Sequence, residues 1–288
     1  AARADLGAGA SEGDRGSEEV RGPVSTRIAV LGANGRMGRA VVRLAHEGGS
    51  KVVCAIGSGD EGKDAGELAG VGPIGATITS DLGAIATSGA EVLIDFSAPA
   101  VLARACEVCV KGNVAIASGT TGLDDAGNAA LDAAAARVPV LWEPNMSVGI
   151  HVLSALLERA VIALGEGYDA EIVETHHRMK VDAPSGTALR LAEVVKSARE
   201  SAGRKEPRFV TGRDGKPGAR SPEEVGVLAM RGGDVIGDHT AFLFGDGERI
   251  ELTHRASSRD LFARGALRAG LWLVGRPAGR YRLADVLA

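Results

Sequence analysis

Aromatic residues are scarce in this chain: five Phe, two Trp and two Tyr make up 3% of 288 residues. Small side chains must fill the interior instead. The 41 glycines and abundant alanine imply closely packed helices and many phosphate-type loops. Cysteine is equally thin. Cys54, Cys106 and Cys109 form no framework, which excludes a disulfide scaffold and fits a reducing compartment. Cys106 and Cys109 have C-x-x-C spacing, but they fall within a helical pattern from Val101 to Lys111, and no second pair completes a zinc site. Two small residues on a packed helix face is the better reading, and no metal site is expected. No apolar run approaches the ~18 residues that span a bilayer, so no membrane segment is expected. A formal net charge of -4 leaves no basic footprint for nucleic acid. With 45% hydrophobic residues, the chain has material for packed cores and length for two domains.

Residues 1–26 differ from the rest. They are rich in Gly, Ala, Glu and Ser with almost no large apolar side chains, so they cannot offset their own ordering entropy and are expected to be disordered and dispensable. They lack the apolar stretch of a secretory signal. Their acidic residues argue against an intact transit peptide. The expected location is cytoplasmic, with the plastid stroma as the alternative if 1–26 is a targeting remnant.

From Thr26 onward strand and helix signals alternate. The apolar strand Arg27–Leu31 runs into Gly32, Ala33, Asn34, Gly35, Arg36, Met37 and Gly38, then a helical pattern to His46 and a second strand, Lys51–Ile56. This G-x-x-G-x-x-G turn between strand and helix is a relative of the dinucleotide fingerprint, in which glycines let a pyrophosphate approach backbone N–H groups. Further strands at Val92–Phe96, Asn113–Ala117 and Val138–Trp142 alternate with helices over 99–111, 123–136 and 148–164. The pattern predicts an α/β fold, a Rossmann-like doubly wound parallel sheet with helices on both faces. The loops 95–97, Gly119–Gly122 and Glu143–Met146 all follow strands, so they gather on the rim of the glycine loop and make a cleft.

After residue 164 the texture changes. Tyr168–His176 alternates like a half-covered strand, and Glu224–Arg231, Ala241–Phe244 and Glu248–His254 read as further strands with few helices between them. A second α+β domain with an open mixed sheet is expected. Its uncovered face suggests a homo-oligomer. The turn-rich loop Thr211–Arg220 is expected to be mobile, and a helix over 259–274 is expected to pack back on the first domain. The expected boundaries are 27–146 with 257–288 for the dinucleotide-binding domain and 147–256 for substrate binding and oligomerisation.

The densest chemistry lies between Glu174 and Thr187. His176 and Lys180 are four apart and share a face in a strand or a helical turn. Imidazole exchanges protons near neutral pH, and an ammonium holds an anion or delivers a proton. Pro184, Ser185, Gly186 and Thr187 then open an apolar-periodic helix, whose free N–H groups attract carboxylate or phosphate. Acid–base group, cation and anion cradle together describe a site for a small acidic molecule.

Taken in order, Gly32 to Gly38, Asp95–Ser97, Gly119–Gly122, Pro144–Gly149, the Glu174-x-His-His-x-x-Lys-x-Asp-Ala-Pro-Ser-Gly-Thr-Ala188 block and His254–Arg259 resemble the 4-hydroxy-tetrahydrodipicolinate reductase (dihydrodipicolinate reductase) family of lysine and diaminopimelate biosynthesis. The likeness covers about 27–288. It implies reduction of a small cyclic dicarboxylate by NADPH or NADH with loss of water, in a homotetramer. By position, His176 resembles the family's proton donor/acceptor and Lys180 its proton donor. His177, Ser185, Gly186, Thr187 and Thr121 resemble substrate contacts. Gly32, Ala33, Asn34, Gly35, Arg36 and Met37 resemble the pyrophosphate loop, and Gly57 and Ser58 lie where the adenosine ribose is read. Phe96, Gly119, Thr120 and Thr121, with Glu143, Pro144, Asn145 and Met146, resemble the nicotinamide-side loops.

Two departures stand out. The acidic residue, often followed by arginine, that many members carry after the second strand is replaced by Gly57, Ser58, Gly59 and Asp60. With Arg36 and Asp60 as the nearest cation and carboxylate, dual cofactor use with a modest bias toward NADPH is expected. Glu143 stands where a small residue is usual and has no evident role. Two other readings stay open: a two-domain dehydrogenase acting on a sugar or semialdehyde, and a nucleotide-sensing regulator without chemistry. A metal hydrolase is disfavoured, because adjacent His176 and His177 cannot form an i, i+4 ligand pair.

Overall fold

The first strand, β1 (Arg27–Leu31), buries its last four side chains and turns through Gly32, at φ 79°, into α1 (Arg36–Glu47). There follow β2 (Lys51–Ile56), α2 (Ala65–Ala69), β3 (Ile78–Thr79), α3 (Ala84–Thr87), β4 (Val92–Asp95), α4 (Pro99–Gly112), β5 (Ala115–Ser118), α5 (Asp125–Ala135) and β6 (Pro139–Trp142). Local chemistry sets several boundaries. Pro99 opens α4, Asn113 ends it at φ 52°, and the Asp124 side chain caps α5 by accepting from the Gly127 N–H. This computed structural model describes residues 25–288. The expectation of a disordered, dispensable tail therefore lies outside the described residues, apart from Ser25 and Thr26.

The second half comprises α6 (Val148–Leu164), β7 (Asp169–His176), α7 (Gly186–Ser201), β8 (Arg208–Val210), β9 (Glu224–Arg231), β10 (Gly237–Gly245), β11 (Glu248–Ala256), α8 (Asp260–Leu273), β12 (Gly279–Tyr281) and α9 (Leu283–Leu287). Two sheets result. The larger has seven strands in the order β12-β6-β5-β4-β1-β2-β3, every pair parallel. The strand order reverses between β1 and β4, which is where doubly wound sheets bind ligands at the carboxyl ends of their strands. The smaller sheet runs β11-β10-β7-β9-β8 and is mixed, since β10 is antiparallel to both neighbours.

Helix α8 lies against β4–β6 and α1. Its buried face is made of Ala263, Gly265, Ala266, Ala269 and Gly270 with Leu267 and Leu273. That is the structural use of the alanine- and glycine-rich composition: backbone-to-backbone approach where aromatics would not fit. In the smaller sheet, α6 and α7 cover one face around Ile172, Val225, Val227 and Leu243. The paired registers put Glu171, Val173, Leu228, Met230, Phe242 and Phe244 on the other face.

Two expectations are revised, and the expected mobile loop is located. The helix with its following turn, Val148–Gly167, is 20 residues long with a mean hydropathy of 1.6, so one segment does have the length and composition to cross a membrane. Part of its apolar character serves the core, where Ile150, Leu153, Leu157 and Val161 pack under the smaller sheet, while Val152, Leu156 and Ile162 on the same helix are exposed. The loop 211–220 is anchored near its two ends, where Arg213 donates to both Glu171 carboxylate oxygens (3.0 and 2.8 Å) and Arg220 bonds Glu171 and Asp169 (2.9 and 2.6 Å); residues 211–219 are exposed. Finally, β10 begins at Gly237 rather than near Ala241, because its polar start, Gly237–Thr240, pairs in full with β11.

Candidate active site

The glycine turn is built for close backbone approach. The N–H groups of Gly32 and Ala33 both donate to the Ile56 carbonyl at 2.9 Å, fixing the turn against β2. A side chain at Gly32 would press on the Phe96 carbonyl at 2.6 Å, and one at Gly38 would overlap the Gly32 backbone. Gly35 is the N-cap of α1 and supplies no side-chain cap, so the first-turn N–H groups are left for an outside acceptor. These features fit a dinucleotide pyrophosphate at a helix N-terminus.

A cavity of about 340 Å³ runs from this turn past Asn34, Gly57 and Ser58, toward the end of β2. Here the Asn34 amide donates to the Ser58 carbonyl (2.7 Å) and to Asp60 (3.0 Å). Asp60 also pairs with Lys63 at 2.8 Å and lies 4.0 Å from Arg39. Hydrogen bonds from Lys63 and then Asn34 hold its carboxyl below the ordinary range. Arg36 is elsewhere. It lines a second cavity, of about 490 Å³, with Met37, Phe96, Gly119, Thr120 and Met146, and Ser97 is common to both spaces. The cations beside the end of β2 are thus Lys63 and Arg39, not the Arg36 expected from sequence, because Lys63 pairs with Asp60 and Arg39 donates to the Asn34 carbonyl at 2.8 Å on the Asp60 side of α1.

Beneath the second cavity sits Asp95, fully buried. Its carboxylate accepts from the hydroxyls of Ser97, Ser118 and Thr120 (2.5, 2.6 and 2.7 Å) and from the Ser97 N–H (2.9 Å). Burial pushes this carboxyl up, against those four donors. The network ties the loops after β4 and β5 together. The Phe96 ring closes over Gly119, where a Cβ would collide with it.

A third cavity, of about 620 Å³, collects His176, His177, Lys180, Ser185, Gly186 and Thr187. Thr121, Pro144 and Phe262 line both it and the second cavity, so the two are one trough. His176 ends β7 with its Nδ1 2.6 Å from Glu174, which is completely buried. Glu174 also accepts a bidentate pair from Arg231 (2.8 and 2.8 Å) and the Ser185 N–H (3.0 Å). Burial opposes its charge, but Arg231 and His176 outweigh that and hold the carboxyl below its ordinary range. A neighbouring ring, His239, stands 5.2 Å from His176 edge-on. Burial, and then the adjacent His176, push His239 down to about 4, so it is neutral at pH 7. The Ser185 hydroxyl caps α7 at the Ala188 N–H (3.2 Å) and faces His239 Nε2 (3.2 Å). Lys180 Nζ rests on Asp182 at 2.9 Å.

Asn145 spans the trough by donating to the Thr187 hydroxyl at 2.9 Å. Glu143 does not line either cavity. Its side chain is 8% exposed, taking Arg190 Nη1 at 2.7 Å with His151 Nε2 at 3.5 Å. Burial works against its charge, yet His151 and Arg190 keep its carboxyl below the usual value. Residues not singled out from sequence also face the trough: Arg190 and Ile236 on the histidine side, Arg259 on the glycine-turn side and Phe262 between. Arg259 lay within the His254–Arg259 motif, which was a usable signal. Arg190 had none, being one arginine on an exposed helix pattern.

A parallel sheet with a capless glycine turn at its switch point, opening onto titratable groups from a second sheet, defines a nicotinamide-dependent oxidoreductase. Residues 26–146 match the family model described as dihydrodipicolinate reductase, N-terminus, and residues 149–287 match the one described as dihydrodipicolinate reductase, C-terminus; the chain belongs to that family. It is 48% identical over 264 residues to the 4-hydroxy-tetrahydrodipicolinate reductase of Anaeromyxobacter sp. strain Fw109-5, covering 90% of this chain and 97% of that one. It is 48% identical over 268 residues to the enzyme of the same name from Thiobacillus denitrificans, covering 92% and 99%. Among solved structures, the dipicolinate-bound dihydrodipicolinate reductase of Paenisporosarcina sp. TG-14 shares the fold at a TM-score of 0.67 and 22% identity, over 90% of this chain and 97% of that one. A myo-inositol dehydrogenase from Corynebacterium glutamicum ATCC 13032 also shares it, at 0.56 and 14%, over 89% and 90%. Fold alone therefore does not separate this family from sugar dehydrogenases, whereas the matched sequence does.

Proposed function

We propose that this chain reduces 4-hydroxy-tetrahydrodipicolinate, with loss of water, to tetrahydrodipicolinate in lysine and diaminopimelate biosynthesis, at the junction of the second and third cavities. The observation that carries this reading is the convergence of His176, Lys180 and the α7 start with Thr121 and Pro144 in one space. Gly32–Met37 and the α1 N-terminus hold the pyrophosphate, Gly57 and Ser58 border the adenosine ribose, and Phe96, Gly119–Thr121, Pro144 and Met146 form the nicotinamide side, with Asn145 facing the substrate side. NADH or NADPH, when bound, supplies a hydride. The start of α7 offers the Gly186 N–H and Thr187 hydroxyl to one substrate carboxylate, with Ser185 setting the cap and His177 and Lys180 adding charge. His176, held at Nδ1 by Glu174, keeps Nε2 as the atom that takes or gives a proton, and Lys180 donates one. The test follows reduced nicotinamide absorbance with the product of the preceding synthase, generated in place from pyruvate and aspartate semialdehyde. We expect oxidation that requires both precursors; none with either cofactor would favour the non-catalytic regulator.

The same proposal includes a cofactor domain of 27–146 and 257–288, a substrate domain of 147–256, a cytoplasmic setting and a homotetramer. The assembly is supported by the apolar Leu228, Met230, Phe242 and Phe244 on the uncovered sheet face.

Cofactor preference follows from the end of β2. Asp60 repels a 2′-phosphate and accepts from a 2′-hydroxyl, whereas Arg39 and Lys63 do the opposite. We expect kcat/KM for NADPH to exceed that for NADH by less than about a hundredfold, on the order of 2.7 kcal/mol. Arg39→Ala should shift the ratio toward NADH, and Arg36→Ala should leave it alone. A ratio moved by Arg36 and not by Arg39 would reverse the assignment.

A further inference from the structure

The substrate is a dianion with a carboxylate on each of the two carbons that flank the ring nitrogen. The clamp at the start of α7 accounts for one of them. Arg190 lies three residues beyond Thr187 on α7, so its side chain emerges on the same helix face and lines the same cavity. Its guanidinium uses Nη1 to bond Glu143 at 2.7 Å and makes no other side-chain hydrogen bond among the described residues. The side chain is 36% exposed and lines the cavity, so its remaining N–H donors are free for a ligand there.

We propose that Arg190 is the second anchoring cation of the substrate cavity, binding the carboxylate that the α7 clamp does not, and that Glu143 holds it in place. Arginine suits this task because its planar fork can spend one edge on a protein carboxylate and offer another to a ligand carboxylate. Glu143 leaves the end of β6 and Arg190 sits on α7, so the pair joins the cofactor side to the substrate side. Pairing also removes a difficulty that Glu143 would otherwise create, since an uncompensated buried carboxylate beside the nicotinamide loop would repel the incoming dianion. The neutral pair thus explains how Glu143 is tolerated where a small residue is usual.

This inference rests on the clamp assigned to Gly186, Thr187, His177 and Lys180, and the experiment separates the two. Inhibition constants are measured for dipicolinate, with two carboxylates, and for picolinate, its monocarboxylate counterpart. In Arg190→Gln, dipicolinate should weaken about tenfold to a hundredfold, the scale of a charge-assisted hydrogen bond, while picolinate stays within about threefold. The double variant Glu143→Gln/Arg190→Gln leaves no unpaired buried carboxylate and should show the same selective loss with an unchanged melting temperature. Equal weakening of both ligands, or of neither, in these variants overturns the role of Arg190. In Lys180→Ala both ligands should weaken; if picolinate binds Lys180→Ala as it binds the wild type, the clamp reading fails, whatever Arg190 does.

Discussion

Replacing His176 or Lys180 with alanine is expected to lower kcat by ~10²–10⁴-fold, the range for a positioned acid or base. Glu174, wholly buried, accepts from Arg231 through both oxygens and sits 2.6 Å from His176 Nδ1. That arrangement fixes the ring and its tautomer and leaves Nε2 for chemistry. Loss of the imidazole removes the proton carrier but leaves Glu174 paired with Arg231, so the fold should hold. Lys180 is more exposed and its partner, Asp182, lies in the same loop, so its loss should also spare stability. Binding of NADPH in the absence of substrate should change little in either variant, because no residue of the glycine turn or α1 lines the histidine end of the trough. Steady-state rates, cofactor fluorescence and melting temperature measured together would decide the matter. Wild-type turnover in both variants would remove these residues from the mechanism, and a collapse in melting temperature would show that they hold the loop rather than act on substrate.

Much of this was legible in the sequence because the relevant constraints are local. A turn that must bring backbone to pyrophosphate needs glycine at fixed offsets, so Gly32, Gly35 and Gly38 declare it. The α7 start declares itself through Ser185, whose hydroxyl caps the Ala188 N–H. What stayed hidden depends on partners far apart in the chain. Nothing near Glu174 announces Arg231, and nothing near Glu143 announces Arg190, since ion pairs between elements leave no periodic trace. Arg39 was missed because which side of α1 faces the end of β2 turns on helix rotation, which spacing alone did not resolve. Strand β3 has only Ile78 and Thr79, and β12 spans Gly279–Tyr281, both too short for an alternating pattern. Helix α6 was not legible as a long apolar segment because Glu158 and Arg159 interrupt the run, although the mean hydropathy stays at 1.6.

Gly265→Ala is expected to be among the most damaging single-methyl changes in the fold. Alanine is ordinarily the better helix former, by ~1 kcal/mol, so an isolated helix would gain from the exchange. Here a Cβ would overlap the Met146 carbonyl oxygen, a backbone atom that cannot rotate aside. Helix α8 and the loop after β6 would have to separate, and Met146 is itself 1% exposed and lines the nicotinamide-side cavity. Overpacking against backbone of this kind costs about 3 kcal/mol or more, which for a chain of this size lowers Tm by roughly 6–12 °C. Gly270→Ala in the same helix is the control. Its Cβ would meet the Cδ1 of Ile94, the far end of a flexible side chain that can change rotamer, so the cost should be smaller and NADPH affinity should be retained. Thermal denaturation and NADPH titration of the two variants should therefore part company: Gly265→Ala loses stability and affinity together, because the loop it displaces borders the cofactor space. A Gly265→Ala protein that melts within about 2 °C of wild type would mean that α8 moves away from Met146 at little cost, and that the close helix–loop contact is not what holds the nicotinamide side in place.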